Sequence, residues 1–311
     1  MGLAILLCVF ALTMLMGIPI AFALGIAALA AAVFEGIPEL IVFQRMVAGM
    51  NVFSLLAIPF FVFAGELMLH GGIAQRLVRF AETLVGSVRG GLGVVNVLTS
   101  MLFGGISGSA VADTSALGSV MIPMMREQGY DDDYSVNVTV TSSIAGIMIP
   151  PSHNMILYAL AAGGGISISS LFIAGIVPGV IMCLCLTVAA YMVAVKRGYP
   201  ASKFPGMRAV LYAGASALPG FFTAVVIIGG VLSGVFTVTE SAAIGAIYAM
   251  LVTVFFYRSL TLKSFWIAVT QAIRTTAMVM ILVGSLGPGP PPKDLMNFDS
   301  PSRFSLIQPQ V

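Results

Sequence analysis

The chain has 311 residues, of which 59% are hydrophobic and 8% are charged. A water-soluble domain carries about 25% charged residues, so this composition excludes an ordinary soluble fold and predicts an integral membrane protein. The formal net charge of +2 is too small to indicate a nucleic-acid partner. The cysteines have no metal-binding spacing and suggest no disulfide framework; they are Cys8, Cys183 and Cys185.

Seven segments are apolar over the roughly 20 residues that a membrane-spanning helix needs. They are residues 3–34, 52–70, 134–162, 169–195, 209–232, 236–257 and 266–286. The first contains Gly17 and Pro19 and is expected to be bent or interrupted there, whereas Pro59 is expected to kink the second. In the third, Pro150 and Pro151 remove two adjacent amide donors, so a regular helix cannot continue through them.

Residues 92–123 are apolar but are interrupted by a glycine- and serine-rich stretch at 104–109. Each flank has roughly 15 residues, which is too short to cross a bilayer. We therefore expect a re-entrant hairpin that turns at the glycines and leaves on the side where it entered. Non-helical backbone at that depth is stable only when it is buried in protein or lines a wet cavity.

The basic residues predict the topology, because Lys and Arg concentrate in cytoplasmic loops. Ten of the 14 fall in three regions, around the hairpin at 76–89 and 126, at 196–208, and at 258–263. One topology places all three regions in the cytoplasm, and it puts the N-terminus inside. It requires the hairpin to be re-entrant, since a full crossing would swap every later loop.

Two shorter segments of mixed polarity, 38–50 and 260–274, have apolar residues at helical spacing. This pattern fits an interfacial helix and a connecting helix equally well. With them, the order of long helix, interfacial segment and helix occurs twice, starting on opposite sides of the membrane. The copies are 3–34, 38–50 and 52–70, and 236–257, 260–274 and 266–286. Inverted repeats of this kind are typical of secondary transporters, whose sites lie at broken helices near the membrane midplane.

Asp113, in the hairpin, is the most informative residue, because an intramembrane carboxylate costs several kcal/mol and normally faces a partner or a cavity. Ser107, Ser109, Thr114 and Ser115 supply nearby hydroxyl oxygens. One carboxylate with hydroxyls and unwound carbonyls suits a small hard cation such as Na⁺. The alternative is that Asp113 only caps the second arm of the hairpin.

The second candidate cluster is the Pro150-Pro151 break with Ser152. The break frees carbonyls that can bind a cation, and the half-helix after it presents its N-terminus to an anionic group. The alternative is a simple kink between packed helices.

Other polar residues in apolar segments have structural explanations. Glu240 follows Thr237 at a predicted helix start and is expected to cap that helix. Glu66 lies near the predicted cytoplasmic end of a helix and is expected to be solvated. His70 and His153 are expected to pack as polar side chains.

An enzymatic alternative rests on Gly105-Ile106-Ser107-Gly108, which matches the GxSG pattern at the nucleophile of rhomboid intramembrane proteases, with His153 as a possible base. A four-residue motif arises easily by chance in a chain with 34 glycines. A protease would also give Asp113 and the double proline no role. We therefore favour a transporter over an enzyme.

Several stretches together resemble the large membrane subunit of TRAP transporters (DctM-type), from the start of the chain to about residue 283. They are IPFFVFAGELM at 58–68, RGGL at 89–92, GISGSAVAD at 105–113, GYD at 129–131, IPPS at 149–152 and FTVTE at 236–240. The serine-rich run that ends at Asp113, combined with the later IPPS, is the most specific part of the resemblance.

The resemblance implies a bacterial inner-membrane permease that imports organic acids, such as C4-dicarboxylates or sialic acid, with Na⁺ as the coupling ion and no other cofactor. It also implies a periplasmic substrate-binding protein and a small four-helix membrane subunit as partners. The fold implied is an elevator, in which a transport domain with two hairpins and two broken helices slides against a scaffold.

Matched residue by residue, the resemblance assigns Ser107, Asp113 and Gly146 to a Na⁺ site. It assigns the neighbouring substrate site to Ser109, Pro150, Pro151 and Ser152.

These inferences divide the chain into four parts. Residues 1–70 are first-repeat scaffold helices, and 71–162 are half of the transport domain, with the hairpin at 92–123 and the broken helix at 134–162. Residues 163–286 are connecting helices and the start of the second repeat, and 287–311 are a disordered tail unlike the family. The family pattern continues with a second hairpin and a second broken helix. We therefore expect an incomplete second repeat, a C-terminal truncation and a chain that is inactive as truncated, even with its partner subunits.

Overall fold

A computed structural model describes residues 1–162, 166–201 and 204–285, without the side chains of 106 and 107. These residues are helical apart from turns and one isolated bridge between Arg89 and Ala201. The helices are α1 (Gly2–Leu15), α2 (Ile20–Phe34), α3 (Glu39–Met50), α4 (Ala57–His70), α5 (Ile73–Val85), α6 (Gly91–Ser107), α7 (Ala110–Glu127), α8 (Asp132–Ser142), α9 (Ala145–Met148), α10 (His153–Ala161), α11 (Ile168–Lys196), α12 (Met207–Leu232), α13 (Val238–Leu251) and α14 (Leu262–Ser285). A 3₁₀ turn at Phe53–Leu56 precedes α4, and a π-helical turn at Val252–Phe256 extends α13.

Five of the described helices are long and apolar enough to cross a membrane, and the bent pair formed by Asp132–Met148 and His153–Ala161 adds a sixth. The chain is therefore an all-α polytopic membrane protein. Helices occupy the predicted spans at 52–70, 134–162, 169–195, 209–232, 236–257 and 266–286. The predicted tail at 287–311 lies outside the described residues.

The first apolar segment folds as two helices, so the interruption expected at Gly17 and Pro19 is confirmed. α1 ends at Leu15 and α2 begins at Ile20, with Gly17 in the left-handed conformation at φ +78° between them. Gly2 at the start of α1 lies beside Glu35 at the end of α2, so the two helices are antiparallel. A left-handed glycine followed by a proline reverses the chain here, because neither residue continues a helix.

The second predicted repeat also differs from its expected order. Residues 260–274 and 266–286 form the single helix α14, because no glycine or proline interrupts the helical pattern between them. The first of the two shorter segments forms the separate helix α3, as its helical spacing predicted. Pro59 falls in the first turn of α4, where a missing amide proton breaks no intrahelical hydrogen bond.

The described chain divides into two compact units, one formed by residues 1–52 with 277–285 and the other by 53–276. In the first unit, Ser285 Oγ donates a hydrogen bond to the Ala21 carbonyl at 3.2 Å. The second unit contains the predicted hairpin, the proline break and the helices α4, α5 and α11 to α13. Its core is built mainly from buried aliphatic and methionine side chains, such as Leu67, Leu77, Leu117 and Met121.

Both ends of the α6–α7 hairpin lie at the same face of the second unit. Gly90, before α6, donates its amide proton to the Pro200 carbonyl at 3.2 Å. Asp133, shortly after α7, accepts two hydrogen bonds of 2.9 Å from the Arg197 guanidinium. Since Pro200 and Arg197 belong to one loop after α11, the chain enters and leaves the hairpin beside that loop. This arrangement supports a re-entrant hairpin.

Cysteine labelling tests the topology. Val88 and Glu127 are exposed and flank the hairpin, so Val88→Cys and Glu127→Cys, each in a background without native cysteines, should react from the same side. We expect a membrane-impermeant maleimide to label both only after cells are opened, as cytoplasmic loops require. Labelling of one position and not the other in whole cells would show that the segment crosses the membrane.

Candidate functional site

The hairpin turns at Gly108 and Ser109, at the end of the glycine-rich stretch. Gly108 has φ +63°, a conformation that a residue with a Cβ rarely adopts. Ser109 caps α7 by accepting a hydrogen bond from the Ala112 amide at 3.3 Å. Gly104 and Gly105, expected at the turn, are still helical in α6. Ser107 is the last residue of α6, and its side chain lies outside the described residues.

The proline break separates α9 from α10 and bends the span by 54°. Pro150 and Pro151, joined by a cis peptide bond, are buried, and Ser152 precedes the first turn of α10 in an extended conformation. Among the described residues, the fully buried Ser152 Oγ has no hydrogen-bond partner. The predicted interruption at this position is therefore confirmed, and it leaves an unsatisfied hydroxyl.

The two breaks contact each other. A Cβ placed on Gly108 would lie 3.1 Å from the His153 nitrogen and 3.1 Å from the Pro151 carbonyl oxygen. Asn154 Nδ2 donates to the Gly108 carbonyl at 3.4 Å. One turn earlier, a Cβ on Gly104 would lie 2.6 Å from the Cα of Gly146. Glycines at these positions thus allow the hairpin tip and the broken helix to approach backbone to backbone.

Asp113 is fully buried one helical turn beyond Ser109. Neither of its carboxylate oxygens has a hydrogen bond of normal geometry within the described part of the chain, although the Ser100 hydroxyl lies close enough to interact with the carboxylate. Ser109 is the residue that caps α7, so the capping alternative for Asp113 is not supported. A buried carboxylate with so few donors costs several kcal/mol as an anion, and binding of a cation or of a proton would remove that cost. The arrangement therefore fits a cation such as Na⁺.

A network of buried hydroxyl and amide groups that the sequence analysis missed lies beside Asp113, between α6 and α8. Asn96 Nδ2 donates to Thr139 Oγ1 at 2.6 Å, and Ser142 Oγ donates to Asn96 Oδ1 at 3.3 Å. Ser142 Oγ also lies 2.9 Å from the oxygen of Ser100, a neighbour of Asp113. These residues interrupt apolar runs in the sequence, and that signal could have identified them.

The predicted site residues are only partly brought together. Gly146 packs against Gly104 and lies close to the Ser109 backbone, and Pro151 and Ser152 touch the hairpin turn at Gly108. No hydrogen bond joins the Asp113 side chain to any of these residues in the described structure. The cation candidates and the substrate candidates are thus neighbours around one pair of backbone breaks.

A cavity of about 300 Å³ lies on the other side of the hairpin turn, between α4, α7 and α14. Its polar lining comes from Glu66, His70, Ser109, Ser115, Gln271 and Thr275. The predicted substrate residues Pro150, Pro151 and Ser152 do not line this cavity, although Ser109 does.

Glu66 and Glu240 each have a polar partner in the structure. The Glu66 side chain is 13% exposed and pairs with His70 at 3.5 Å, in contrast to the solvated position expected. The cap predicted at Glu240 is confirmed, because Glu240 Oε2 accepts from the Thr237 amide while Thr237 Oγ1 accepts from the Glu240 amide. His153 is buried beside the hairpin turn, as expected for a packed polar side chain.

Curated relatives match over most of this chain. It is 39% identical to the sialic acid TRAP transporter large permease protein SiaM of Vibrio cholerae, over 86% of this chain and 62% of the relative. It is 39% identical to the 2,3-diketo-L-gulonate TRAP transporter large permease protein YiaN of Escherichia coli, over 86% and 63%. It is 36% identical to the C4-dicarboxylate TRAP transporter large permease protein DctM of Rhodobacter capsulatus, over 87% and 64%.

The chain thus spans less than two thirds of the length of each of these relatives. The family model for the DctM component of the tripartite ATP-independent periplasmic transporter matches residues 7–287. This is a family of transport permeases and not of enzymes, so the match gives no support to the intramembrane protease alternative. With its helical membrane fold, its hairpin and its proline break, the chain belongs to the DctM family of TRAP transporter large permeases.

Proposed function

We propose that this chain takes part in Na⁺-coupled import of an organic acid across the bacterial inner membrane. The observation that carries the proposal is the buried Asp113 carboxylate, which accepts no hydrogen bond of normal geometry from the described residues and lies one turn from the contact between the hairpin turn and the broken helix. A Na⁺ ion at this position would neutralise the carboxylate. The Ser107 hydroxyl and the Gly146 carbonyl are proposed to complete its oxygen ligands.

The substrate class is proposed from chemistry and from the relatives. Relatives named for sialic acid, 2,3-diketo-L-gulonate and C4-dicarboxylates all take organic acids. The N-terminus of α10 beside Ser152 suits a carboxylate, because helix N-termini carry a partial positive charge. Ser109, Pro150 and Pro151 would shape the site around it. The cavity between α4, α7 and α14 is the proposed approach to Ser109.

The proposed mechanism is an elevator, in which the hairpin and the broken helix move together. The close backbone contacts of Gly104 with Gly146 and of Gly108 with His153 support joint movement of the two breaks. A periplasmic binding protein would deliver the substrate, and a small four-helix membrane subunit would complete the permease. The cytoplasmic position of the N-terminus and the four-part division of the chain belong to the same proposal.

The coupling claim is tested by uptake in proteoliposomes that contain the intact parent permease, with its second hairpin and second broken helix, together with the small subunit and the binding protein. Uptake of labelled succinate or sialic acid is expected only with an inward Na⁺ gradient. Equal uptake with and without the gradient would contradict Na⁺ coupling. Binding of radioactive Na⁺ to the purified chain is measured in parallel, because it depends only on residues in this chain; absence of binding would contradict the site. Cleavage of a transmembrane substrate that Ser107→Ala abolishes would favour the protease alternative.

A further inference from the structure

A second polar cavity lies between α5 and α12, away from the hairpin. It has a volume of about 590 Å³, and we call it the α5–α12 groove. Its wall on α5 carries Gln75, Arg76 and Arg79, and its wall on α12 carries Tyr212 and Ser216. The proposed transport function uses none of these residues.

The packing of α5 explains why its polar side chains line the groove. Its apolar residues, such as Ile73, Leu77 and Val78, are buried in the core. Helix α12 approaches closely through Gly220, which meets Ile73, and through Phe221, whose ring lies 5.7 Å from that of Phe80. These contacts fix the spacing of the two helices and leave the polar face of α5 turned toward the start of α12.

The groove carries positive charge that no ion pair among the described residues neutralises. Arg76 is held in place, with its guanidinium 3.9 Å from the centre of the Tyr257 ring and Nη1 donating to the Gly72 carbonyl at 2.8 Å. Arg79, one turn further, is exposed and forms no ion pair within the described structure. Glu82 also lines the groove and is likewise not within ion-pair distance of a described cation.

A hydrogen-bond acceptor accompanies the two arginines. The Gln75 side-chain oxygen is buried and has no partner among the described residues. It would repel a phosphate oxygen but would accept a hydrogen bond from a hydroxyl group. The groove therefore combines two guanidinium groups for a phosphate with an unsatisfied acceptor for an alcohol.

The position along α12 indicates a membrane lipid. Tyr212 is 81% exposed and lies near the start of α12, a candidate membrane span, at the level where tyrosines mark the membrane boundary. Arg208 precedes Tyr212 by one helical turn. Beyond the groove, Leu211 and Leu218 are exposed on α12 and offer an apolar path for acyl chains.

We propose that the α5–α12 groove binds an anionic phospholipid with a hydroxylated headgroup, of the phosphatidylglycerol class. Arg76 and Arg79 hold the phosphate, Gln75 accepts a headgroup hydroxyl, and the acyl chains run along α12. Basic pockets between helices at the cytoplasmic surface bind anionic headgroups in this way, and the predicted topology places these arginines on that side.

Native mass spectrometry of the delipidated chain tests the proposal with dioleoylphosphatidylglycerol and dioleoylphosphatidylcholine as probes. Dioleoylphosphatidylglycerol should bind more tightly than dioleoylphosphatidylcholine. Arg79→Gln should weaken its binding about five-fold, from about 1 kcal/mol for each basic residue near the surface. Arg89→Gln, the same change at an exposed arginine outside the groove, should leave binding unchanged.

Three outcomes would overturn the proposal. The first is equal binding of the two lipids. The second is that the Arg79→Gln chain binds the phosphatidylglycerol lipid as tightly as the Arg89→Gln chain does. The third is displacement of the lipid by inorganic phosphate at millimolar concentration, which would indicate a free-phosphate site. Arg76→Gln is added as a second variant; because Arg76 also packs on Tyr257, the single Arg79→Gln variant decides the result if Arg76→Gln does not fold.

Discussion

Replacing Asp113 with asparagine is expected to abolish the stabilisation of this chain by Na⁺ without lowering its stability in Na⁺-free buffer. In the wild type, a bound cation stabilises the charged form of a buried carboxylate that accepts no hydrogen bond of normal geometry from the described residues. Asparagine has no charge to relieve. At a Na⁺ concentration of about 100 times the dissociation constant, the wild type should gain about 2.7 kcal/mol, and the variant should gain none.

Thermal unfolding in detergent, with NaCl exchanged for choline chloride at constant ionic strength, measures this effect. Asp132→Asn is the matched control, because Asp132 is exposed and pairs with Arg126 at the surface, where ion pairs contribute little. The control should keep the full Na⁺ effect. An Asp113→Asn chain with the same response to Na⁺ as wild type would exclude Asp113 from the cation site.

The sequence predicted the elements that depend on local chemistry. Pro150 and Pro151 break a helix wherever they occur in one, because they lack amide protons. The run from Gly104 to Ser109 could not continue as a spanning helix, and it turns at Gly108. Capping by Glu240 followed from its spacing to Thr237. In each of these cases, the physical cause lies within a few residues of the element that it determines.

The elements that the sequence did not predict depend on contacts between distant segments. Asn96 and Thr139 form a hydrogen bond across 43 positions, and nothing near either residue indicates the other. The interruption between α1 and α2 followed from Gly17 and Pro19, but the reversal of the chain there did not, because hydropathy measures the length of an apolar segment and not its direction. The close approach of Gly104 to Gly146 is also a tertiary contact. It explains why both positions are glycine, because a Cβ on Gly104 would collide with the Gly146 backbone.

Gly104→Ala is expected to destabilise the chain and to remove its response to Na⁺. Gly104 lies inside α6, where alanine would by itself add about 1 kcal/mol of helix stability. The new methyl group, however, would lie 2.6 Å from the Cα and 2.7 Å from the nitrogen of Gly146. Backbone cannot yield as a flexible side chain can, so α6 and α9 must separate. Overpacking of this kind costs about 1–3 kcal/mol, which outweighs the gain in helix propensity.

Gly118→Ala is the matched control, because Gly118 is buried in α7 and its new methyl group would meet its nearest neighbour, Ile122, at an ordinary 3.5 Å. This variant should be more stable than wild type by up to about 1 kcal/mol and should keep its Na⁺ response. Unfolding of both variants is followed by temperature and by Na⁺ titration. If Gly104→Ala were as stable as Gly118→Ala, the hairpin and the broken helix would not be in backbone contact. Their joint movement in an elevator would then lose its structural basis.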